Sequence, residues 1–186
     1  DRHGEEVLDR SNLVVFIDGA APSAPPATRP TISHKGRRYS PSVLPVVRGQ
    51  KVDFLNDDGV FHNVFSLSRP KPFDLGVYPQ GATRSVSFDK PGLVKIYCNI
   101  HPDMVASILV LTNQHYARTD AQGRFEIRGV PDGEFTLRVW HESTAESARP
   151  IAVHGGMRFV ENLELHAKKL VSSHKNKFGQ PYDTKY

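Results

Sequence analysis

The sequence predicts an all-β protein built from a larger β-sandwich followed by a smaller one. Glycine and proline, 14 of each, separate short apolar runs and favour strands over long helices. Several runs alternate apolar with polar residues, as half-buried antiparallel strands do. The chain of 186 residues is long enough for two small domains that each bury a core.

The larger unit is expected to be a sandwich of the Greek-key kind. Val52 and Phe54 alternate with polar neighbours, and so do Val86 and Phe88. The expected strands are residues 43–47, 51–56, 62–67, 83–88, 93–98 and 106–111.

The N-terminal part is expected to belong to this larger unit, which would span residues 1–112. Residues 13–17 form an apolar run that ends at Asp18-Gly19 and predicts a buried first strand of the main sheet. Residues 20–30 contain four prolines and predict an extended surface connection rather than a boundary between domains.

The smaller unit is expected at residues 113–166. A turn at 119–123 precedes an alternating segment at 124–127, and a second strand follows at 130–140. A last strand is expected at 157–165. The remaining tail, 167–186, has five lysines against Asp183 alone and is interpreted as a solvated, partly disordered basic terminus.

Composition and charge exclude several classes of function. The net charge of +4 equals that of the tail alone, so nucleic-acid binding is not inferred. No apolar run reaches the roughly 18 residues of a membrane span, and the polar N-terminus does not resemble a signal peptide. We expect a secreted protein whose signal peptide has been removed. The single cysteine cannot form an intramolecular disulfide and requires another role.

The segment 97–104 concentrates groups that bind soft metals. Cys98, His101 and Met104 lie within seven residues, directly after a predicted strand. Copper that cycles between Cu(I) and Cu(II) is served by two imidazoles, a thiolate and a distant methionine sulfur. This loop therefore supplies three of the four ligands of such a site.

The fourth ligand must come from elsewhere in the chain. His62 is the best candidate because it enters another predicted strand, and loops at one end of a sandwich converge in space. Zinc is the competing metal, but methionine is a poor zinc ligand and zinc sites use several cysteines more often. The sequence therefore predicts one copper ion.

Residues from about 39 to 111 resemble a cupredoxin domain, and the Cys-x-x-His-Pro-x-Met loop resembles that of the amicyanins. The resemblance implies that His62 and His101 bind copper through ring nitrogens, Cys98 through its thiolate and Met104 axially. Ala106 stands where many members have glycine, so the axial contact could differ and the site could be green rather than blue.

The same resemblance implies roles for residues around the ligands. Asn63 corresponds to a residue that joins the two ligand loops by hydrogen bonds. Pro102 is expected near the exposed edge of His101, together with Val60, Phe61 and Asp103. Cupredoxins typically pass electrons to a partner through an apolar patch at such an edge.

The smaller unit resembles a carboxypeptidase regulatory-like, or transthyretin-like, β-domain. The resemblance depends on Thr119-Asp120-x-x-Gly123-x-Phe125 and on Val130-Pro131-x-Gly133-x-Phe135-x-Leu137. Such domains usually act as binding or spacing modules without catalytic groups.

The expected function is single-electron transfer by a type 1 copper protein, with a c-type cytochrome or a redox enzyme as partner. Four protein ligands leave no open metal position, so the chain is not expected to be an enzyme. Copper storage or delivery is the main alternative, and an adhesion protein with a structural copper site is a weaker one. A periplasmic or secreted location follows from the resemblance, and no stable membrane insertion is expected.

Overall fold

The computed structural model describes residues 11–155, 165 and 174–182. Within these residues the chain forms thirteen strands and no helix, which confirms the all-β prediction. The chain divides into two compact units. The larger unit consists of residues 22–114 and 172–186, and the smaller unit consists of residues 1–21 and 115–171.

Two sheets make up the described part of the larger unit. In spatial order the first sheet consists of β4 (Val43–Val47), β10 (Val105–Leu111), β9 (Gly92–Tyr97), β6 (His62–Ser66) and β7 (Phe73–Tyr78). The second consists of β3 (Tyr39–Ser40), β2 (Thr31–His34), β5 (Lys51–Asn56) and β8 (Thr83–Ser87). β7, β2 and β3 had no counterpart among the predicted strands.

The two sheets enclose one hydrophobic core. Ile32 and Phe54 come from the second sheet, Ile96 and Ile108 come from the first, and all four are fully buried. Each such side chain contributes roughly 1.5–3 kcal/mol by leaving water. This shared core confirms the predicted β-sandwich.

Strand β6 departs from the usual alternation because all five of its residues are buried. Val64 belongs to the core between the sheets. Phe65 is fully buried outside that core, and its ring lies 5.7 Å from the ring of Tyr97. β6 is therefore covered on both of its faces, which anchors the residue at its beginning, His62.

The smaller unit has one sheet among its described residues. Its strands, in spatial order, are β11 (Tyr116–Arg118), β1 (Val14–Asp18), β12 (Gly133–Trp140) and β13 (Ser147–Val153). Val15 and Ile17 pack with Leu137 and Val139 in a second core.

The assignment of the first strand to the main sheet is wrong. β1 pairs with β11 and with β12, because its apolar side chains complete the core of the smaller unit rather than that of the sandwich. The expectation that residues 20–30 would not contain a domain boundary is also wrong, since the two units divide between Ala21 and Pro22.

Two further expectations concern the smaller unit and the tail. Residues 124–127 form no strand, although Phe125 and Ile127 pack against the second core. The strand expected at 157–165 lies outside the described residues apart from Leu165. The prediction of a solvated tail is wrong for residues 174–182, which make hydrogen bonds and ring contacts with the larger unit. None of the described residues forms a helix long and apolar enough to span a membrane.

Candidate metal centre

Strand pairing brings the two predicted ligand segments to the same edge of the first sheet. β6 begins at His62, and β9 ends at Tyr97, one residue before Cys98. The two strands are antiparallel neighbours in which Phe65 lies opposite Tyr97. The start of one strand therefore lies beside the end of the other, although 36 residues separate His62 from Cys98 in the chain.

Three of the four predicted ligands converge in space. The Cys98 sulfur lies 3.9 Å from Nδ1 of His62 and 3.7 Å from Nδ1 of His101. The two Nδ1 atoms are 3.1 Å apart. Cys98 and His62 are fully buried, whereas His101 is partly exposed. The thiol and the two imidazoles thus face one another, and of the three only His101 is in contact with solvent.

The spacing of these atoms suits one metal ion. In zinc proteins the metal lies about 2.0–2.1 Å from an imidazole nitrogen and about 2.3 Å from a thiolate sulfur. We use these metal-to-donor distances for comparison. A single ion at about those distances would touch all three atoms, because each pair of donors is 3.1–3.9 Å apart. One thiolate with two imidazoles is the donor set that suits copper in electron-transfer sites. The copper prediction therefore agrees with the geometry.

Met104 lies fully buried in the same core cluster as Cys98. Two backbone hydrogen bonds close the loop between them: Cys98 N donates to the Met104 carbonyl at 3.2 Å, and Met104 N donates to the His101 carbonyl at 3.1 Å. The loop thus forms a tight turn in which the thioether is placed in the protein interior. Its role as the axial ligand stays a prediction.

Asp58 holds His62 from the side opposite the cluster. Its Oδ2 lies 3.0 Å from Nε2 of His62 and accepts a hydrogen bond from the backbone N–H of Arg37. The Arg37 amide, followed by the His62 ring, lowers the pKa of Asp58 below its usual value. An ionised Asp58 accepts a hydrogen bond from the Nε2–H of His62. This favours the tautomer whose lone pair is on Nδ1, the nitrogen that faces Cys98.

Burial favours the neutral form of two imidazoles, those of His101 and His34. Desolvation is the largest cause of the lowered pKa of His101, and the neighbouring His62 adds to it. His34, on β2, is fully buried, and its ring lies edge-on to that of His62 at 5.4 Å. Desolvation lowers the pKa of His34 to about 4, and its Nε2 lies 3.2 Å from the Tyr78 hydroxyl.

Asn63 joins the segments that carry the predicted ligands by a hydrogen bond, and its role in tuning a copper site stays a prediction. Its Oδ1 accepts a hydrogen bond from the backbone N–H of Asn99 at 3.2 Å. Its Nδ2 donates to Asp74 Oδ1 at 2.6 Å and to the Gly76 carbonyl at 3.0 Å. Asn63 is itself fully buried. Its bond to Asn99 connects the residue after His62 with the residue after Cys98.

Three apolar residues that lie close to His62 or His101 in the sequence are exposed. Phe61 is 59% exposed, Ile100 43% and Val60 37%. Pro102, expected at this edge, is exposed, and its carbonyl lies within hydrogen-bond distance of His174 Nε2.

Sequence reasoning missed three parts of this site. Asp58 precedes Gly59 and reads as a turn residue, although its position four residues before His62 is a signal that could have found it. His34 has no ligand spacing to another histidine in the sequence, yet it lies fully buried on β2 beside His62. Nothing in the sequence pattern indicated that residues 174–182 would contact the loop after Cys98, since only long-range folding brings them together.

Comparisons with known proteins give partial structural matches. No family model matches the sequence, and no curated protein matches it. A purple cupredoxin from Nitrosopumilus maritimus is 28% identical, and the match covers 44% of this chain and 99% of that one with a TM-score of 0.41. A copper-containing nitrite reductase from Thermus scotoductus is 27% identical over 50% of this chain and 26% of that one, with a TM-score of 0.44. A reduced single-residue variant of amicyanin is 20% identical over 52% of this chain and 98% of that one, with a TM-score of 0.43.

Proposed function

We propose that the larger unit is a type 1 copper protein that carries single electrons between redox partners. The observation that supports this most strongly is the convergence of one buried cysteine sulfur and two histidine Nδ1 atoms within 4.8 Å of one another. His62, Cys98 and His101 are the proposed equatorial ligands, and Met104 is the proposed axial ligand. A copper ion in this site would accept and return one electron.

The residues of the chain supply what rapid electron transfer needs. His62 begins β6, and Cys98 directly follows β9, the strand that pairs with β6, so the sheet brings these two buried residues close together. Asp58 selects the tautomer that leaves Nδ1 of His62 free. The hydrogen bond from Asn99 to Asn63 prevents the two ligand segments from moving apart. A rigid donor set lowers the rearrangement that a change of charge requires.

The proposed route of the electron is the exposed edge of His101. His101 is the only partly exposed member of the three converging residues. Val60, Phe61 and Ile100, which lie beside His62 and His101 in the sequence, are exposed apolar residues and form the proposed docking patch. An apolar patch of this kind suits a transient contact with a redox protein such as a c-type cytochrome. Exchange of Phe61 for Asp should slow electron transfer to such a partner and leave the copper spectrum unchanged.

We propose electron transfer rather than catalysis, because the four proposed ligands leave no position for a substrate at the metal. His62 and Cys98 are fully buried, and His101 is partly exposed. The proposed role involves no bond made or broken in a substrate.

The deciding experiment is the visible absorption and EPR spectrum of the purified protein after one equivalent of Cu(II), followed by ascorbate reduction and reoxidation. An intense band at roughly 600 nm, or nearer 450 nm for a green site, that bleaches and returns supports the proposal. A colourless or ordinary Cu(II) spectrum would refute it. Rapid surrender of Cu(I) to a competing chelator would instead indicate copper storage or delivery.

For the smaller unit we propose a carboxypeptidase regulatory-like β-domain that acts as a spacer or binding module, and for the protein a periplasmic or secreted location. The support for both is the resemblance of sequence motifs. Cell fractionation of the source organism would test the location, and recovery in the cytoplasmic fraction would contradict it.

A further inference from the structure

Residues 174–182, here called the C-terminal strap, lie against the segment that carries Cys98 and His101. The hydroxyl of Tyr182 donates to the Cys98 carbonyl at 2.9 Å. The backbone N–H of Lys177 donates to Asn99 Oδ1 at 3.0 Å. The ring of His174 stacks on that of Tyr97 with centroids 4.2 Å apart and planes 26° from parallel.

The strap also completes a closed ring of hydrogen bonds. Lys177 Nζ donates to Asp74 Oδ2 at 2.8 Å, and Asp74 Oδ1 accepts from Asn63 Nδ2 at 2.6 Å. Asn63 Oδ1 accepts from Asn99 N at 3.2 Å, and Asn99 Oδ1 accepts from Lys177 N. The ring therefore includes the residue after His62, the residue after Cys98, a residue of β7 and the strap.

The strap residues that make these contacts, His174, Lys177 and Tyr182, are each partly buried. Lys177 and Phe178 line the same surface depression as the fully buried Phe65, although Phe178 is itself 71% exposed. The contacts to the loop are therefore made by the hydrogen bonds and the stacked ring described above, rather than by Phe178.

We infer that the C-terminal strap is a clasp on the copper-binding loop and that Tyr182 and Lys177 are positioning residues for the metal centre. Tyr182 acts through the backbone carbonyl of the proposed ligand Cys98, and Lys177 acts through the side chains of Asn99 and Asp74. The inference builds on the proposed copper site and adds a segment more than 70 residues further along the chain.

The clasp has a reciprocal consequence. If the strap favours the arrangement of the loop that binds copper, then copper must in turn favour the closed strap, because coupling between two sites is symmetric in free energy. A loop held at the Cys98 carbonyl and at the Asn99 side chain also releases the ion more slowly, since release requires local opening.

Hydrogen exchange of the metal-free protein tests the clasp without any copper. Tyr182→Phe and Lys177→Met should each raise the exchange rates of the Asn99 and Met104 amides about five- to tenfold, the effect of losing roughly one hydrogen bond. Ile108, in β10, should keep its rate. Tyr116→Phe in the smaller unit controls for the loss of a phenol, and Lys175→Met controls for the loss of a strap lysine whose side chain is exposed.

Two results would overturn the inference in this experiment. Unchanged exchange at Asn99 and Met104 would show that the strap does not hold the loop. Equal acceleration at Ile108 would show a general loss of stability instead of positioning. Lys177→Arg, which keeps a donor toward Asp74, should restore most of the protection and so separates loss of the contact from failure to fold.

The copper-loaded protein gives a second, independent readout. Transfer of Cu(I) to a competing chelator should be about five- to tenfold faster in Tyr182→Phe and Lys177→Met than in the wild type and the two controls. Exchange at the Lys177 amide should slow when Cu(I) is bound. If the wild type shows no thiolate-to-copper band, the proposed function is wrong, and the hydrogen-exchange experiment still tests the clasp. If copper binds and both variants release Cu(I) at the wild-type rate, only the clasp is wrong.

Discussion

The two ligand segments are held in different ways. His62 is the first residue of a strand that is buried on both faces, and its outer nitrogen contacts Asp58, only four residues away. Cys98 and His101 lie in a loop beyond the end of β9. The outer supports of that loop come from Asn63 and from the C-terminal strap, which are distant in sequence.

This difference indicates a division of work within the site. The His62 side depends on local sequence and on a packed strand, so it should be rigid in the metal-free protein. The Cys98 side depends on long-range contacts that must assemble first. Changes on the His62 side should therefore alter affinity and stability, whereas changes to the strap should alter opening of the loop.

The largest effect is expected from exchange of Cys98, the proposed thiolate ligand. Cys98→Ser replaces the sulfur by a hydroxyl of similar shape, and it should abolish the intense visible band because that band requires a thiolate bound to copper. Absorption and EPR spectra after addition of Cu(II) measure the change. If the variant keeps its colour, Cys98 is not the ligand.

A second prediction concerns the pH dependence of the metal-free protein. The folded-state pKa of His34 is about 4, below the unfolded value of about 6.5, so the unfolded chain binds more protons between these values. The free energy of unfolding should therefore fall as the pH drops from about 6.5 to about 4, by about 3 kcal/mol in total from this residue. The lowered pKa of His101 adds in the same direction.

Urea denaturation between pH 4 and 7, followed by tyrosine signals of the larger unit, measures this slope. His34→Gln keeps a polar group near Tyr78 but cannot titrate, so it should reduce the slope in that range. A slope equal to that of the wild type would show that His34 titrates normally in the folded protein.

Asp58 tests the local support of His62. Asp58→Asn removes the charge that favours the proton on Nε2 and should lower copper affinity about tenfold, the lower end of the effect of removing an outer partner of a metal-bound histidine. Competition titration with a chelator measures the affinity. Asp57→Asn is the matched control, because Asp57 is exposed and its carboxylate is 3.8 Å from Lys35. An equal loss of copper affinity in Asp57→Asn would show that the effect comes from the change in net charge.

The smallest effect is expected at Tyr39, whose hydroxyl donates to the Asn63 carbonyl at 2.9 Å. Tyr39→Phe leaves that buried carbonyl without this donor and should lower the free energy of unfolding by about 1 kcal/mol. The midpoint of urea denaturation measures the loss. Since the change affects only the His62 side, Cu(I) release should stay within twofold of the wild type, and a larger acceleration would contradict the proposed division of the site.

The local pattern of residues determined much of this molecule. Strands 43–47 and 51–56 were predicted with their observed bounds, because alternation and turn residues are properties of neighbouring positions. The grouping of Cys98, His101 and Met104 was equally local. The addition of His62 needed only the knowledge that loops meet at one end of a sandwich, and the structure confirms that His62 lies beside Cys98 and His101.

Other features depend on contacts that no local pattern records. Residues 13–17 read as a strand, but only packing decides that β1 completes the core of the smaller unit. Lysines at 175 and 177 read as a solvated tail, although Lys177 pairs with Asp74 and bonds to Asn99. Charge and hydrophobicity belong to a residue, whereas its partner is chosen by the tertiary fold. For this reason the sequence predicted the ligands, and only the tertiary structure revealed the residues that contact them.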